Sequence, residues 1–215
     1  TFADPDPVDV PGVFENKIKL GTFLDLSGPN AQLGLDMLHG LTAYFDFINS
    51  SQNGVNGREI ELVVEDNAFN VERSKMVAKK LVEKEQVFAM VAPLGTPTNL
   101  ATLDYFVESD IPVIAPISGI SAWANPLKRN YFAYQTNYQI EGQILAQYAV
   151  THLNPKNVAI FAVDDNFGQE GAEAVTAELK KSGVENIHTV YHKLGEIDTD
   201  DLLDKIKHGG ESGEE

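Results

Sequence analysis

The chain alternates between short runs with strand character and longer stretches with helical spacing, and this order limits the folds it can adopt. The short runs have the length and composition of buried strands, at residues 18–24, 59–65, 87–92 and 113–115. Between the first two runs, Leu38, Leu41 and Phe45 recur at the three- or four-residue spacing of one helix face. A β-α-β-α-β-α-β order with short links predicts an α/β fold, a parallel sheet with helices on both faces.

The same plan starts again in the second part of the chain. After a further short strand at 131–134 and a crossover, a helix begins near Ile140. A strand at 158–163, a helix at 169–182 and a strand at 187–191 then follow. A last helix is expected at 198–207. Two copies of one α/β plan predict two lobes, residues 15–136 and 137–215, with a cleft between them.

The two ends of the chain carry their own expectations. Residues 1–14 contain several prolines among acidic side chains, and we expect them to form a loose arm that follows either a removed signal peptide or a lipid anchor. The second lobe is expected to be incomplete, because its strands and helices are too few to cover both faces of a sheet.

Composition excludes several classes of protein. Lys and Arg number 16 against 32 Asp and Glu, which gives a net charge of −16. Such an acidic chain is not expected to bind nucleic acid, because that affinity comes largely from neutralising phosphates. The absence of cysteine excludes disulfides and Cys-based zinc sites. The histidines are dispersed, and His188 and His192 would lie too far apart along a strand to share a metal, so no metal or cofactor is expected.

Two loops that follow neighbouring predicted strands carry hydroxyl groups and glycine. In residues 95–98, Thr96 is expected as a helix N-cap and Pro97 at the first helical position. The second loop is residues 118–121, with the sequence SGIS. In open α/β sheets ligands bind at the carboxyl ends of the strands. A helix start with hydroxyl groups suits a small anion, so we expect a carboxylate site here.

The helix that follows the first loop should be amphipathic. Its apolar face is expected to consist of Leu100, Leu103, Phe106 and Val107, which recur at helical spacing. These side chains would pack against the sheet and leave the opposite face to solvent.

Several segments, taken in order, resemble a known family. IKLGTFLDLSGPNAQLG, INSSQNGVNGREIELVVEDN, APLGTPTNLA, APISGISA and DDNFGQEG are similar to segments of the type I periplasmic binding proteins. The leucine/isoleucine/valine-binding subgroup, which serves amino-acid ABC transporters, is the nearest. The similarity runs from about Val13 to Lys207, and members of the family are longer. The resemblance implies a two-lobed periplasmic-binding-protein-like fold that closes round a ligand in the cleft between its lobes.

The resemblance assigns roles to residues of the first lobe and to one aromatic residue of the second. Gly95, Thr96 and Thr98 resemble the loop that holds the α-carboxylate of the ligand. Leu33 falls where members carry a side chain that lines the pocket, although a leucine there could also serve only for packing. Phe167 matches an aromatic side chain that closes over the ligand from the second lobe.

The second loop resembles the one that contacts the α-ammonium group of the ligand. Its residues are Ser118, Gly119, Ile120 and Ser121. Ile120 departs from the family, which often has a small polar residue there, and the acidic partner of the ammonium group would come later than residue 215. Trp123 is expected to pack behind this loop.

Each of these assignments has a structural alternative. Thr96 and Thr98 could serve only as caps of a helix, and Phe167 could pack in the core of the second lobe. Asp164 and Asp165 could bind an amine or a cation, but adjacent acidic residues in a loop are more often solvated.

Three classes of function follow. The first is a non-enzymatic, substrate-binding component of an ABC transporter, periplasmic or extracellular, that captures a branched-chain or other apolar amino acid and passes it to a membrane permease. Aromatic or aliphatic carboxylates without the amine are the alternative ligands. The second class is a sensor domain of the same fold. The third, an α/β enzyme, is disfavoured because GxGxxG and GxSxG are absent and neither loop holds a nucleophile with a base.

Overall fold

A computed structural model describes residues 10–195 and 199–208 of the chain. Its strands are β1 (Lys17–Leu24), β2 (Glu59–Asp66), β3 (Ala89–Val91), β4 (Val113–Ile114), β5 (Tyr131–Phe132), β6 (Asn157–Val163) and β7 (Asn186–His192). Its helices are α1 (Ala31–Gln52), α2 (Val71–Lys79), α3 (Thr96–Glu108), α4 (Tyr138–Leu153), α5 (Asn166–Lys181) and α6 (Thr199–His208). A π-helical turn, Lys80–Lys84, continues α2, and a 3-10 turn spans Ser121–Trp123.

The described chain divides into two compact units. The first contains the residues up to 117 together with 126–134, and the second contains 118–125 together with the residues from 135 onward. The lobe boundary predicted at residue 136 assigns residues 118–125 to the first lobe, whereas here they group with the second unit.

The first unit is built on a five-stranded sheet with the order β2-β1-β3-β4-β5. All neighbouring strands are parallel, as the alternation of strands and helices predicts. β1 lies inside the sheet and pairs with β2 along its whole length, from Lys17 opposite Glu59 to Leu24 opposite Asp66. Its carboxyl end is buried, and Phe23 stacks on Phe106 of α3 with ring centroids 6.5 Å apart. The predicted parallel α/β fold is therefore confirmed.

The N-terminal residues 10–14 are held against this sheet, which corrects the expectation of a loose arm for that part. Val13 forms an antiparallel bridge with Ile18, and the amide of Lys19 donates to the carbonyl oxygen of Gly12 at 2.7 Å. Residues 1–9, the rest of the predicted arm, lie outside the described part of the chain.

The buried face of α3 is more polar than its sequence pattern predicts. Leu103 and Phe106 are buried as expected, but Leu100 is only partly buried and Val107 is exposed. Their places are taken by hydroxyl and amide side chains, namely Thr98, Asn99 and Thr102. These side chains donate hydrogen bonds to backbone carbonyl groups, which offsets the cost of burying them.

The second unit contains a two-stranded parallel sheet, in which β6 pairs with β7. Helices α4 and α5 pack closely at Gly142, where an added Cβ would lie 2.7 Å from the Cβ of Ala174. One cluster of buried apolar residues in this unit consists of Ala146, Leu179 and Val184, and Ala172 and Val190 are buried as well. Helix α5 begins at Asn166, three residues before its predicted start at 169, so Phe167 belongs to a helix and not to a loop.

Candidate functional site

The loop between β3 and α3 requires glycine at its last position. Gly95 has a φ angle of 102°, in the region that side chains with a Cβ rarely adopt. An added Cβ would lie 2.5 Å from Cε2 of Phe69 and 2.6 Å from Oγ1 of Thr98. Gly95 is the N-cap of α3 and Thr96 its first residue, one position away from the predicted N-cap at Thr96.

Two buried side chains of α3 fix this loop from behind. The hydroxyl of Thr98 donates to the carbonyl oxygen of Leu94 at 2.5 Å, and the amide nitrogen of Asn99 donates to Pro93 at 2.8 Å. Thr98 is fully buried, so its hydroxyl proton is used inside the loop. The sequence does not predict this role of Asn99, because an asparagine within a helix carries no local sign of it.

The start of α3 is nevertheless suited to an anion. The amide of Gly95 donates to the carbonyl oxygen of Ile117 at 3.2 Å, which fixes the direction in which the helix begins. A helix N-terminus carries about half a positive elementary charge. Thr96, with its side chain at the first turn, is 4% exposed, so this end of the helix is partly shielded from solvent.

The loop between β1 and α1 lies in the same unit and is shaped by a buried carboxylate. Asp25 accepts hydrogen bonds from the amides of Gly28 at 2.6 Å and Asn30 at 2.7 Å. A Cβ at Gly34 would collide with the carbonyl oxygen of Asp25, so glycine is needed where α1 crosses this loop. Leu33 lies in the first turn of α1, which begins at Ala31, and its side chain is 50% exposed.

A second carboxylate, Asp66 at the end of β2, ties this loop to the next. Asp66 accepts a hydrogen bond from the hydroxyl of Ser27 at 2.6 Å. The amides of Leu26 and Ala68 each donate to it at 2.9 Å, and the Arg73 guanidinium lies 3.0 Å away. Burial raises the pKa of Asp66, but these contacts outweigh it and hold the pKa below its usual value.

The loop Ser118–Ser121 belongs to the second unit and is held by several hydrogen bonds. The Trp123 indole donates to the carbonyl oxygen of Ser118 at 3.1 Å, and Trp123 is buried, as its predicted packing role requires. The hydroxyl oxygen of Ser118 accepts from the amide of Ile120 at 3.2 Å. Ile120 is itself buried, with 7% of its surface exposed.

Gly119 in this loop brings Tyr138 into the site. The amide of Tyr138 donates to the carbonyl oxygen of Gly119 at 2.8 Å. An added Cβ at Gly119 would lie 2.7 Å from Cε1 of Tyr138, so the ring packs directly on the glycine. The ring of Tyr138 also meets Phe167 edge to face at 4.9 Å. Sequence reasoning missed Tyr138, and the pair it forms connects two predicted site elements.

The start of α5 supplies the remaining polar contacts. Asp165 caps this helix and accepts hydrogen bonds from the amides of Phe167 at 2.8 Å and Gly168 at 3.1 Å. This gives Asp165 a structural role that the sequence left open. The carboxylate of Glu170 accepts from the amide of Ser121, with its two oxygens 3.1 and 3.2 Å from the nitrogen.

The structure thus groups the predicted site residues within each unit. In the first unit Gly95, Thr96 and Thr98 meet at the start of α3, and Leu33 lies at the start of α1. In the second unit the Ser118–Ser121 loop lies beside Tyr138, which contacts Phe167. Among residues 10–195 and 199–208, no group of three or more His, Cys, Asp or Glu side chains could hold a metal ion. Within the same residues, no helix is long and apolar enough to cross a membrane.

Comparison with known proteins gives the family. The family model described as "Periplasmic binding protein" matches residues 17–211. This chain belongs to the periplasmic binding protein family. The resemblance to its leucine/isoleucine/valine-binding subgroup, inferred from the sequence, is confirmed.

Individual relatives are distant but cover most of the chain. An amino acid binding protein from Pseudomonas aeruginosa is 28% identical over 86% of this chain and 49% of its own length. Leu/Ile/Val-binding protein homolog 3 from Brucella melitensis is 23% identical over 90% of this chain and 52% of its own. The solved structure of a fatty acid ABC transporter substrate-binding protein from Thermomonospora curvata shares the fold, with a TM-score of 0.80, 21% identity and coverage of 92% and 50%. The chain therefore spans about half the length of the relatives it matches.

Proposed function

We propose that this chain is part of the substrate-binding component of an ABC transporter that captures a small apolar amino acid, with branched-chain amino acids as the first candidates. Membership of the periplasmic binding protein family is the observation that carries the proposal. The names of the two relatives, an amino acid binding protein and a Leu/Ile/Val-binding protein homolog, support this ligand class. The ligand would be passed to a membrane permease, and the protein would act in the periplasm or outside the cell.

In this proposal the start of α3 binds the α-carboxylate of the ligand. The helix dipole and the conformation of Gly95 support an anion here, and Thr96 is the hydroxyl residue assigned to contact it. Thr98 acts indirectly, because its hydroxyl donates to Leu94 and so holds the shape of the loop.

The other predicted site residues are assigned to the amino group and the side chain of the ligand. The carbonyl and hydroxyl groups of the Ser118–Ser121 loop would accept hydrogen bonds from the ammonium group. Leu33 and Phe167 would contact the apolar side chain, and about half of each residue's surface is exposed and available for contact, 50% for Leu33 and 46% for Phe167.

The carboxylate assignment is tested by one hydroxyl deletion and a matched control. Thr96→Val removes the hydroxyl and keeps the side-chain shape, so the affinity for L-leucine in a calorimetric titration should fall about tenfold to a hundredfold. Thr102→Val is the control, because Thr102 is buried on the same helix and donates to Asn99 at 3.0 Å. Equal affinities of the two variants would contradict the carboxylate assignment. Failure of the unaltered chain to bind leucine would contradict the ligand class.

A carboxylate without an α-amine is the second candidate ligand. Ile120 presents a buried hydrocarbon side chain where the family often has a small polar residue. The fatty acid ABC transporter substrate-binding protein also shares the fold of this chain. 4-Methylpentanoate has the carbon skeleton of leucine without the amine, so the pair of compounds measures the ammonium contact directly. Tighter binding of leucine supports an amino acid site, and tighter binding of 4-methylpentanoate supports the second candidate.

The proposal also holds that the chain is a receptor and not an enzyme. Leucine incubated with the protein should be recovered unchanged, as measured by mass spectrometry. A ligand that is consumed in proportion to protein concentration would overturn this part of the proposal.

A further inference from the structure

We propose that Glu170 is a positioning residue, which holds the Ser118–Ser121 loop in the conformation that binds the ligand. This inference rests on the proposed function and adds to it a residue of α5 that the family resemblance does not assign. Glu170 is far from the loop in sequence, but its carboxylate lies against the amide of Ser121, at 3.1 and 3.2 Å from its two oxygens.

The amide of Ser121 has a particular need for such an acceptor. Ser121 is the first residue of the 3-10 turn Ser121–Trp123, and the first amides of any helical turn lack a carbonyl partner within it. A carboxylate placed there gives a charge-assisted hydrogen bond, which is stronger than a bond between neutral groups. The carbonyl oxygen of Ser121 is used as well, since it accepts from the amide of Ala124 at 3.0 Å.

The contact completes a set of supports that surround the loop within the second unit. The Trp123 indole holds the carbonyl group of Ser118, and the Tyr138 amide holds that of Gly119. Glu170 holds the end of the loop at Ser121. Helix α5 thereby carries both Glu170 and Phe167, so one helix connects the loop with the aromatic residue assigned to the ligand.

The test compares three variants of the same helix. Glu170→Ala removes the acceptor, Glu170→Gln keeps an oxygen acceptor without the charge, and Glu173→Ala is the control, because Glu173 is an exposed glutamate on α5. Two quantities are measured for each variant: hydrogen exchange of the peptide that contains Ser121, and the affinity for L-leucine by calorimetry. The melting temperature is recorded alongside.

We expect exchange of the Ser121 peptide to be about tenfold faster and leucine affinity about tenfold weaker in Glu170→Ala. Glu170→Gln should recover part of both, because a neutral acceptor makes a weaker hydrogen bond, and Glu173→Ala should match the unaltered protein. Unchanged exchange in Glu170→Ala, or faster exchange with unchanged affinity, would overturn the inference. So would a Glu170→Gln variant as impaired as Glu170→Ala, since a neutral oxygen acceptor should still hold the amide of Ser121 in part.

The failure of the proposed function has a different signature. It is shown by the unaltered protein binding no leucine, whatever the variants do, and a ligand-positioning role is then rejected with it. When the unaltered protein binds leucine, only the comparison of the Glu170 variants decides the inference.

Discussion

The two units follow the same strand–helix–strand plan, but the first strand of each unit, β1 and β6, is buried to a very different extent. β1 ends in four buried residues, whereas no residue of β6 is buried. The aromatic residues of the two strands show the difference most clearly, because Phe23 is 0% exposed and Phe161 is 46% exposed.

The difference follows from the number of neighbours that each strand has. β1 pairs with β2 on one edge and β3 on the other, and its aromatic residue packs against α3. In the described part of the chain β6 pairs with β7 alone. Apolar burial contributes roughly 25 cal/mol per Å² to stability, so the partly exposed apolar residues of β6 forgo free energy that the buried residues of β1 gain. Similar sequence patterns therefore give unequal local stability.

The difference in burial between β1 and β6 should have its largest effect on the hydrogen exchange of their backbone amides. Local opening free energies range from near zero up to the global value, and the amides of the better-packed unit should lie near the upper end. We expect amides of β6 to exchange about a hundredfold or more faster than those of β1 in the same sample. Exchange measured by mass spectrometry on peptides from both units provides the comparison. If the amides of both strands were equally protected from exchange, the two sheets would be equally stable, and the difference in burial would not determine local stability.

A pair of matched substitutions sharpens the same contrast. Phe106 is 0% exposed in the first unit, so Phe106→Ala should lower the free energy of unfolding by about 3–5 kcal/mol. Phe161→Ala removes the same side chain from a half-exposed site, where it stacks on His192 at 4.4 Å, and should cost about 1 kcal/mol. Both losses in the free energy of unfolding are measured by denaturant titration, with circular dichroism as the signal. A loss for Phe161→Ala as large as that for Phe106→Ala would show that the second unit has a core that its exposure does not reveal.

A smaller effect, dependent on pH, is expected at the polar end of the first sheet. The pKa of Asp66 is lowered in the folded state, so its ionised form stabilises the fold at pH values above its ordinary pKa near 3.8. This stability is lost as the pH falls through the lower folded-state pKa. Asp66→Asn should therefore cost about 1.5–3 kcal/mol at pH 7 and progressively less below about pH 4.

The control for this substitution is Glu72→Gln, which removes a carboxylate from an exposed ion pair with Lys75 on the same helix that follows β2. It should change stability little at any pH, because exposed ion pairs contribute about 0–1 kcal/mol. If the penalty of Asp66→Asn did not diminish in acid, the loss would come from packing and not from the charged hydrogen bonds.

The sequence predicts the strand and helix order of both units well, because hydrophobic periodicity is a local signal. Helix caps are local signals too: Asn70, a residue type that favours the N-cap position, caps α2 by accepting from the amide of Arg73. The predicted inner face of α3 is partly wrong, since apolar spacing does not reveal that Thr98 and Asn99 are buried to hold a loop.

Long-range contacts of the candidate site could not be predicted in this way. Glu170 contacts Ser121 across 49 positions of sequence, and no local pattern signals such a pair. Tyr138 is an aromatic residue at the start of a helix, and only the fold shows that it packs on Gly119. The contact between Asp25 and Gly28 is local by contrast, and aspartate at the first position with glycine at the fourth is a favoured turn pattern.

The smallest expected effect compares one helix cap from each unit. Asn70 accepts one amide hydrogen bond at the start of α2, and Asp165 accepts two at the start of α5. Replacing either residue by alanine should cost about 1 kcal/mol, and Asp165→Asn should be nearly neutral because asparagine caps helices as well as aspartate does. Scanning calorimetry then separates the units: with unequal stabilities, Asn70→Ala should lower the higher-temperature transition and Asp165→Ala the lower-temperature one. A single transition that both variants shift equally would show that the two units unfold together. The difference between their sheets would then affect only local opening and not global unfolding.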